Sequence, residues 1–255
     1  MSTKIEWADV TWNPITGCTP ISEGCANCYA KRMATRLRGR YGYPEDEPFK
    51  VVYHPDRINV PYKWKKSRKI FVNSMGDLFI KGVQGEWLEN VWDTMFDFHP
   101  ELNSMTRHIF LILTKRPNNI KIFEKWMKDK GRKVWYPHIW LGVTAENQKR
   151  FDERWPIVSQ ISASIKFVSI EPALSFVSLK DVFGLFKFDN SSYHTKVGSR
   201  WKDSPDWVIW GPETGPKRRP YDPQWAKILY AQCKAAGVPF FDKRKTGWIA
   251  REFPK

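Results

Sequence analysis

Six short runs along the chain read as strands, at residues 9–13, 69–73, 108–113, 139–143, 165–170 and 207–210, and the last five are mainly apolar. Continuous rather than alternating apolar character is the pattern of strands buried on both faces of a parallel sheet. Residues 238–241 read as a further short strand. Between the runs, apolar positions recur at helical spacing over 26–38, 85–98, 118–130, 147–159 and 223–236. In the second of these, Trp87, Leu88, Val91, Trp92 and Met95 share one face.

Strict alternation of strand and helix predicts an α/β fold with right-handed crossovers. Six such units in 255 residues fit a partial (β/α)6 TIM-like barrel or, alternatively, an open doubly wound sheet. No G-x-G-x-x-G follows the first strand, which counts against a dinucleotide-binding fold. Two stretches break the rhythm. Residues 39–68 are rich in Pro, Tyr and charge, and an insertion at about 173–206 lengthens the fifth crossover. Loops of that length are commonly lids or binding elements. The reading is one domain over residues 1–255, with no internal repeat.

Composition sharpens the picture. Hydrophobic residues make up 42%, enough for a core. No apolar run approaches the roughly 18 residues that span a bilayer, so no membrane partner is expected. The first residues lack the apolar stretch and cleavage site of a signal peptide, and a cytoplasmic location is expected. Forty-two Lys and Arg against 27 Asp and Glu leave a formal charge of +15. That excess points to a polyanionic partner, nucleic acid above all, against the plainer alternative of solubilising charge.

Cysteine usage supplies the first chemistry. Cys18, Cys25 and Cys28 are spaced C-x6-C-x2-C, and Cys233 lies far away in a helical stretch as a simple buried thiol. A clustered trio does not read as a disulfide framework. Tetrahedral zinc wants four ligands, and the segment offers three with no His. Three thiolates suit a [4Fe-4S] cluster with one iron left open. Spacing alone leaves open both this cluster and a zinc knuckle completed by a remote His or by Cys233.

Every strand closes on polar residues, where α/β folds gather their chemistry. The strand ends read Asn13-Pro14, Asn73-Ser74-Met75-Gly76-Asp77, Thr114-Lys115-Arg116, Thr144-Ala145-Glu146-Asn147, Glu171-Pro172, Gly211-Pro212-Glu213 and Asp242-Lys243-Arg244. Thr114, and Thr144 with Asn147, are also plausible helix caps. Hydrolase, zincin and nucleotidase motifs are absent.

Several of these segments, taken in order, resemble a known family. Residues 5–18 (IEWADVTWNPITGC) and 24–30 (GCANCYA), with 72–79, 113–117, 142–147, 169–172, 211–216 and 237–241, are similar to the phage and prophage radical SAM-like proteins. The likeness covers nearly the whole chain. It implies a partial (β/α)6 barrel of the radical SAM type, a [4Fe-4S] cluster on Cys18, Cys25 and Cys28, and S-adenosylmethionine (SAM) on the open iron. It also implies a reducing partner such as flavodoxin or ferredoxin and a phage protein in the bacterial host cytoplasm. The superfamily's usual C-x3-C-x2-C is C-x6-C-x2-C here, with Asn27 where an aromatic is usual.

On that resemblance, Asn73, Ser74 and Asp77 are candidates for the methionine ammonium, and Thr114 and Lys115 for its carboxylate. Thr144, Glu146 and Glu171 are candidates for the ribose, and Gly211 and Glu213 for the adenine. No catalytic residue is assigned. Basic positions Lys63, Lys65, Lys66, Lys217, Arg218, Arg219, Lys243 and Arg244 are candidates for nucleic-acid phosphates. Trp64, Tyr193 and Trp201 are candidates for base stacking. The expected activity is radical modification or rearrangement of a nucleobase, with DNA as substrate. The alternatives are a radical SAM enzyme on a small or peptidic substrate and a zinc-stabilised, non-catalytic nucleic-acid-binding protein.

Overall fold

The computed structural model describes residues 5–99, 107–187, 193–195 and 203–254. The chain is α/β, and its parallel strands are hydrogen-bonded in the order β1-β4-β5-β6-β7-β10-β11. These strands are β1 (Val10–Trp12), β4 (Lys69–Val72), β5 (Ile109–Thr114), β6 (Ile139–Thr144), β7 (Lys166–Ile170), β10 (Trp207–Trp210) and β11 (Phe240–Asp242). All six expected strands form, and the seventh forms at residues 240–242, two positions later than its apolar run begins. Contacts divide the chain into two compact units, Met1–Leu141 with Ser162–Ser164 and Gly142–Ile161 with Ile165–Lys255.

In the first unit, β1 pairs with β4 and β4 with β5, both parallel. The helices α1 (Tyr29–Arg36), α2 (Gly85–Phe96) and α3 (Asn118–Asp129) follow β1, β4 and β5. Trp92 of α2 is buried, packs on Phe123 at 4.5 Å between ring centres and donates its indole N–H to the Val134 carbonyl at 2.9 Å. One residue thus fills the space between two helices and satisfies its only polar atom. Helix α1 begins three residues later than the periodicity implied, since Cys28, with ψ of 119°, interrupts the helical backbone between the 3-10 turn Glu23–Cys25 and Tyr29. Its buried Ala30 and Ala34 pack with Tyr43 and Met75. The irregular stretch after α1 is partly ordered by pairing: β2 (Ile15–Thr16) lies antiparallel to β3 (Val52–Tyr53).

In the second unit, β7 pairs with β10 and β10 with β11, again parallel. The helices are α4 (Gln148–Ser159) and α5 (Gln224–Ala236). Trp207 is fully buried against Phe167, Phe241 and Phe253, and its N–H donates to the Glu252 carbonyl at 2.8 Å. Gly142 lies under the Phe167 ring, where a Cβ would come within 2.3 Å of the ring edge, so only glycine fits there. Within the expected insertion, β8 (Leu185–Lys187) pairs antiparallel with β9 (Tyr193–Thr195). Residues 188–192 and 196–202 of that insertion, with Trp201, lie outside the described residues. Among those described, no helix is long and apolar enough to cross a membrane.

Candidate functional site

The first unit carries the cysteines on the loop after β1. Asn13, the residue after β1, accepts hydrogen bonds on its side-chain oxygen from the Ser74 hydroxyl at 3.2 Å and the Met75 N–H at 2.9 Å. Two strand ends are thereby tied together. Gly17 follows with φ of +92°, and a Cβ there would sit 2.0 Å from the Lys50 carbonyl oxygen. Glycine is obligatory at this turn. The Gly17 N–H donates to the Met75 carbonyl at 3.0 Å and the Cys18 N–H to the Phe49 carbonyl at 3.1 Å, which fixes where the first thiol leaves the backbone. The 3-10 turn then delivers Cys25, whose N–H donates to the Ser22 carbonyl, and Cys28 stands at the start of α1.

All three thiols are free and half-buried. Burial and the nearby Asp77 carboxylate push the Cys18 thiol up to about 11, against the opposing pull of Arg116. Burial also disfavours the Cys25 thiolate, yet the Lys115 ammonium and hydrogen bonds from the Ile21 and Ser22 main chain outweigh it, and that thiol is lowered. Lys115 Nζ lies 3.8 Å from Cys25 Sγ, as does the Ser22 hydroxyl. Arg116 braces the same loop by donating to the Thr19 carbonyl at 2.7 Å and hydroxyl at 2.9 Å. Among the described residues, no three His, Cys, Asp or Glu side chains are gathered as around a single ion.

The expected methionine ligands have definite partners. Asp77, 6% exposed, accepts from the Thr114 hydroxyl at 2.8 Å, the Lys115 N–H at 3.0 Å and the Phe79 N–H at 3.0 Å. Its carboxylate therefore ties the end of β4 to the end of β5. Thr114 caps no helix; its hydroxyl accepts from the Arg116 N–H at 2.9 Å within the turn. Asn73, with φ of +57°, is buried and accepts the Ile15 N–H on its side-chain oxygen at 3.3 Å. Its side-chain NH2 has no partner among the described residues. The group left over on Asn73 is thus a donor, suited to a carboxylate rather than an ammonium.

The second unit holds the other strand-end carboxylates, each with a cation. Glu146, fully buried, accepts from Arg154 at 2.8 Å, and Arg154 also donates to the Thr144 carbonyl at 2.8 Å. Glu171 pairs with Lys243. Glu213 accepts the Arg219 N–H at 2.8 Å and Nε at 2.9 Å, with a further ion pair to the same guanidinium. Asp242, also fully buried, accepts from the Arg244 N–H at 2.9 Å and Nη2 at 2.6 Å and from the Ile249 N–H at 3.1 Å. Gly211 sits between β7 and the turn that follows it, donating to the Ile170 carbonyl and accepting the Ala173 N–H at 2.8 Å.

Three of the eight expected phosphate ligands, Arg219, Lys243 and Arg244, are therefore held by carboxylates of the chain itself. Lys63, Lys65, Lys66, Lys217 and Arg218 are exposed. Trp64 is half-buried with its ring edge-on to His108 at 6.0 Å, so it is a packing residue as much as a stacking one. Nothing is described of the Tyr193 side chain. Sequence reading assigned no role to Asn13, Arg116 or Arg154. Arg154 was detectable in principle, since it shares a helical face with Phe151, Trp155 and Val158, where an arginine must find a buried acid.

The arrangement is that of an α/β chain with a thiol-bearing loop at the carboxyl end of its first parallel strand. The chain belongs to the family described as "Protein of unknown function (DUF5131)", whose model matches residues 2–255. No curated protein and no solved structure matches it.

Proposed function

We propose that this chain is a radical SAM enzyme with a partial (β/α)6 barrel, holding a [4Fe-4S] cluster on Cys18, Cys25 and Cys28 and acting on a nucleobase of DNA. The observation that carries the reading is the thiol loop itself. Three half-buried cysteines, none in a disulfide, lie within eleven residues between β1 and α1, beside a lysine that favours the Cys25 thiolate. Thiolates are the donors that iron–sulfur clusters take, and three of them leave one iron open, so the donor set fits the group. When bound, the cluster and SAM supply one-electron cleavage of the sulfonium and hence a radical able to abstract hydrogen.

The protein's own part is positioning and charge. Lys115 offsets the negative charge that builds up as thiolates gather, and Arg116 holds Thr19 and so the Cys18 side of the loop. Asn73 offers a buried N–H donor for a methionine carboxylate, and Ser74 lies next to it on the same strand end. Asp77 acts by aligning Thr114 and Lys115. In the second unit, Thr144, Glu146, Glu171, Gly211 and Glu213 remain our candidates for the ribose and adenine. The net charge of +15 supports DNA as the substrate, and a flavodoxin or ferredoxin would deliver the electron.

Anaerobic purification tests the metal. The expected product is brown protein containing iron and sulfide, which forms 5′-deoxyadenosine with dithionite and SAM. Cys18→Ala, Cys25→Ala and Cys28→Ala should each abolish both properties. Colourless protein with one zinc, its thiols consumed as zinc ligands, would overturn the proposal in favour of a zinc-stabilised binding protein.

A further inference from the structure

The loop between β10 and α5 borders a shallow surface pocket of about 480 Å³, widely open to solvent and lined by Pro216, Arg218, Arg219, Pro220 and Tyr221. That volume lies within the roughly 300–1,000 Å³ of small-ligand sites. Its walls are stiff for reasons visible in the side chains. Glu213, 6% exposed, takes both the backbone and the guanidinium of Arg219, which closes the segment 214–218 between them. The Arg218 N–H donates to the Gly215 carbonyl at 3.3 Å, and the two prolines remove further freedom.

The aromatic wall is braced from behind. Tyr221 meets buried Trp210 edge-on at 5.6 Å, and the Arg244 guanidinium lies 5.6 Å from the Trp210 ring centre while bound to Asp242. The Tyr221 ring is thereby held in place where it borders the pocket. The charges around it are unequally matched. Arg219 is committed to Glu213, and the Asp222 carboxylate accepts the Gln224 N–H at 2.8 Å at the start of α5. Arg218 is exposed, and no acidic side chain among the described residues pairs with it.

One uncompensated guanidinium beside one fixed aromatic ring, on a pre-stiffened loop, matches a ligand with an anionic group next to a flat ring. We infer that this pocket is a nucleotide subsite, in which Arg218 takes a phosphate of a DNA strand and Tyr221 stacks on the adjoining base. A base inside a duplex has no free face, so the segment bound is single-stranded or extruded. The inference rests on the DNA-substrate reading and adds to it the place where the strand is held. It is independent of the cluster.

Fluorescence anisotropy of a labelled oligothymidylate, titrated with the full chain across a salt series, tests it. Arg218→Ala should weaken binding about tenfold and reduce the salt slope by about 0.7, one phosphate contact on a single strand. Tyr221→Leu should weaken it about five- to a hundredfold, the loss of one stacked base, while Tyr221→Phe binds like the wild type. Wild-type affinity in both Arg218→Ala and Tyr221→Leu, with the parent still binding, overturns the subsite and leaves the DNA reading intact. Loss in Arg218→Ala but not in Tyr221→Leu overturns the nucleotide assignment in favour of a bare phosphate contact. No salt-sensitive binding by the parent chain overturns both readings.

Discussion

Arg154 and Glu146 form an ion pair in which the side chains are 6% and 0% exposed. A buried pair contributes little over a well-packed apolar pair, but losing one member leaves a charge without its counter-charge in a poor solvent. Arg154→Met should lower unfolding free energy by about 3–5 kcal/mol, read as a fall in the urea midpoint. Arg154→Met combined with Glu146→Leu should recover much of that loss. A single variant as stable as the parent would show that the pair is not a buried support. His54 makes a related point through pH. It is buried, with Nε2 2.8 Å from the Thr16 hydroxyl, and burial followed by the Arg57 charge lowers its pKa to about 4. The unfolded chain therefore takes up a proton first as pH falls below about 6.5. The contribution of neutral His54 to stability is complete above that value and is lost between about 6.5 and 4, with His108 and His138, both lowered by burial, adding in the same direction. Urea midpoints measured from pH 7.5 to pH 4.5 should fall, and His54→Asn should flatten part of the decline.

At the scale of elements, the strands and helices came out close to their sequence periodicity, and the departures have local causes. Helix α4 starts where Asn147 accepts the Arg150 N–H at 2.9 Å, a side-chain cap visible in the sequence. Asn147→Ala should cost about 1 kcal/mol in a urea titration, whereas Asn147→Ser should cost little. Thr114 has the same chemistry but does not cap α3, which begins after Pro117; its hydroxyl accepts the Arg116 N–H within the turn while donating to Asp77. Sequence alone could not rank those two options. The β2–β3 pairing was similarly hidden, since two-residue strands carry no period to detect.

At the scale of the whole chain, the charge of +15 makes a prediction that no single contact does. Duplex or single-stranded DNA should bind with a log affinity that falls linearly with log salt, by about 0.9 per duplex phosphate neutralised or about 0.7 per single-strand phosphate. Filter binding between about 50 and 200 mM salt measures it, and a flat profile would reduce the charge to solubility. The structure already narrows which cations can take part. Arg219, Lys243 and Arg244 were legible as basic residues near strand ends, but their carboxylate partners were not legible as partners.

The order of strands and helices, the thiol trio and the basic balance were set by the sequence, because each is a property of neighbours along the chain or of a simple count. Periodicity of 2.0 or 3.6 residues survives in one dimension. The folded structure decided which groups meet: Lys115 with Cys25 across 90 positions, Lys243 with Glu171 across 72, Ser74 and Met75 with Asn13 across about 60. Coulomb and hydrogen-bond energies act over a few ångströms of space, whatever the separation in sequence. A charged residue's role is therefore assigned only when the fold has chosen its neighbour.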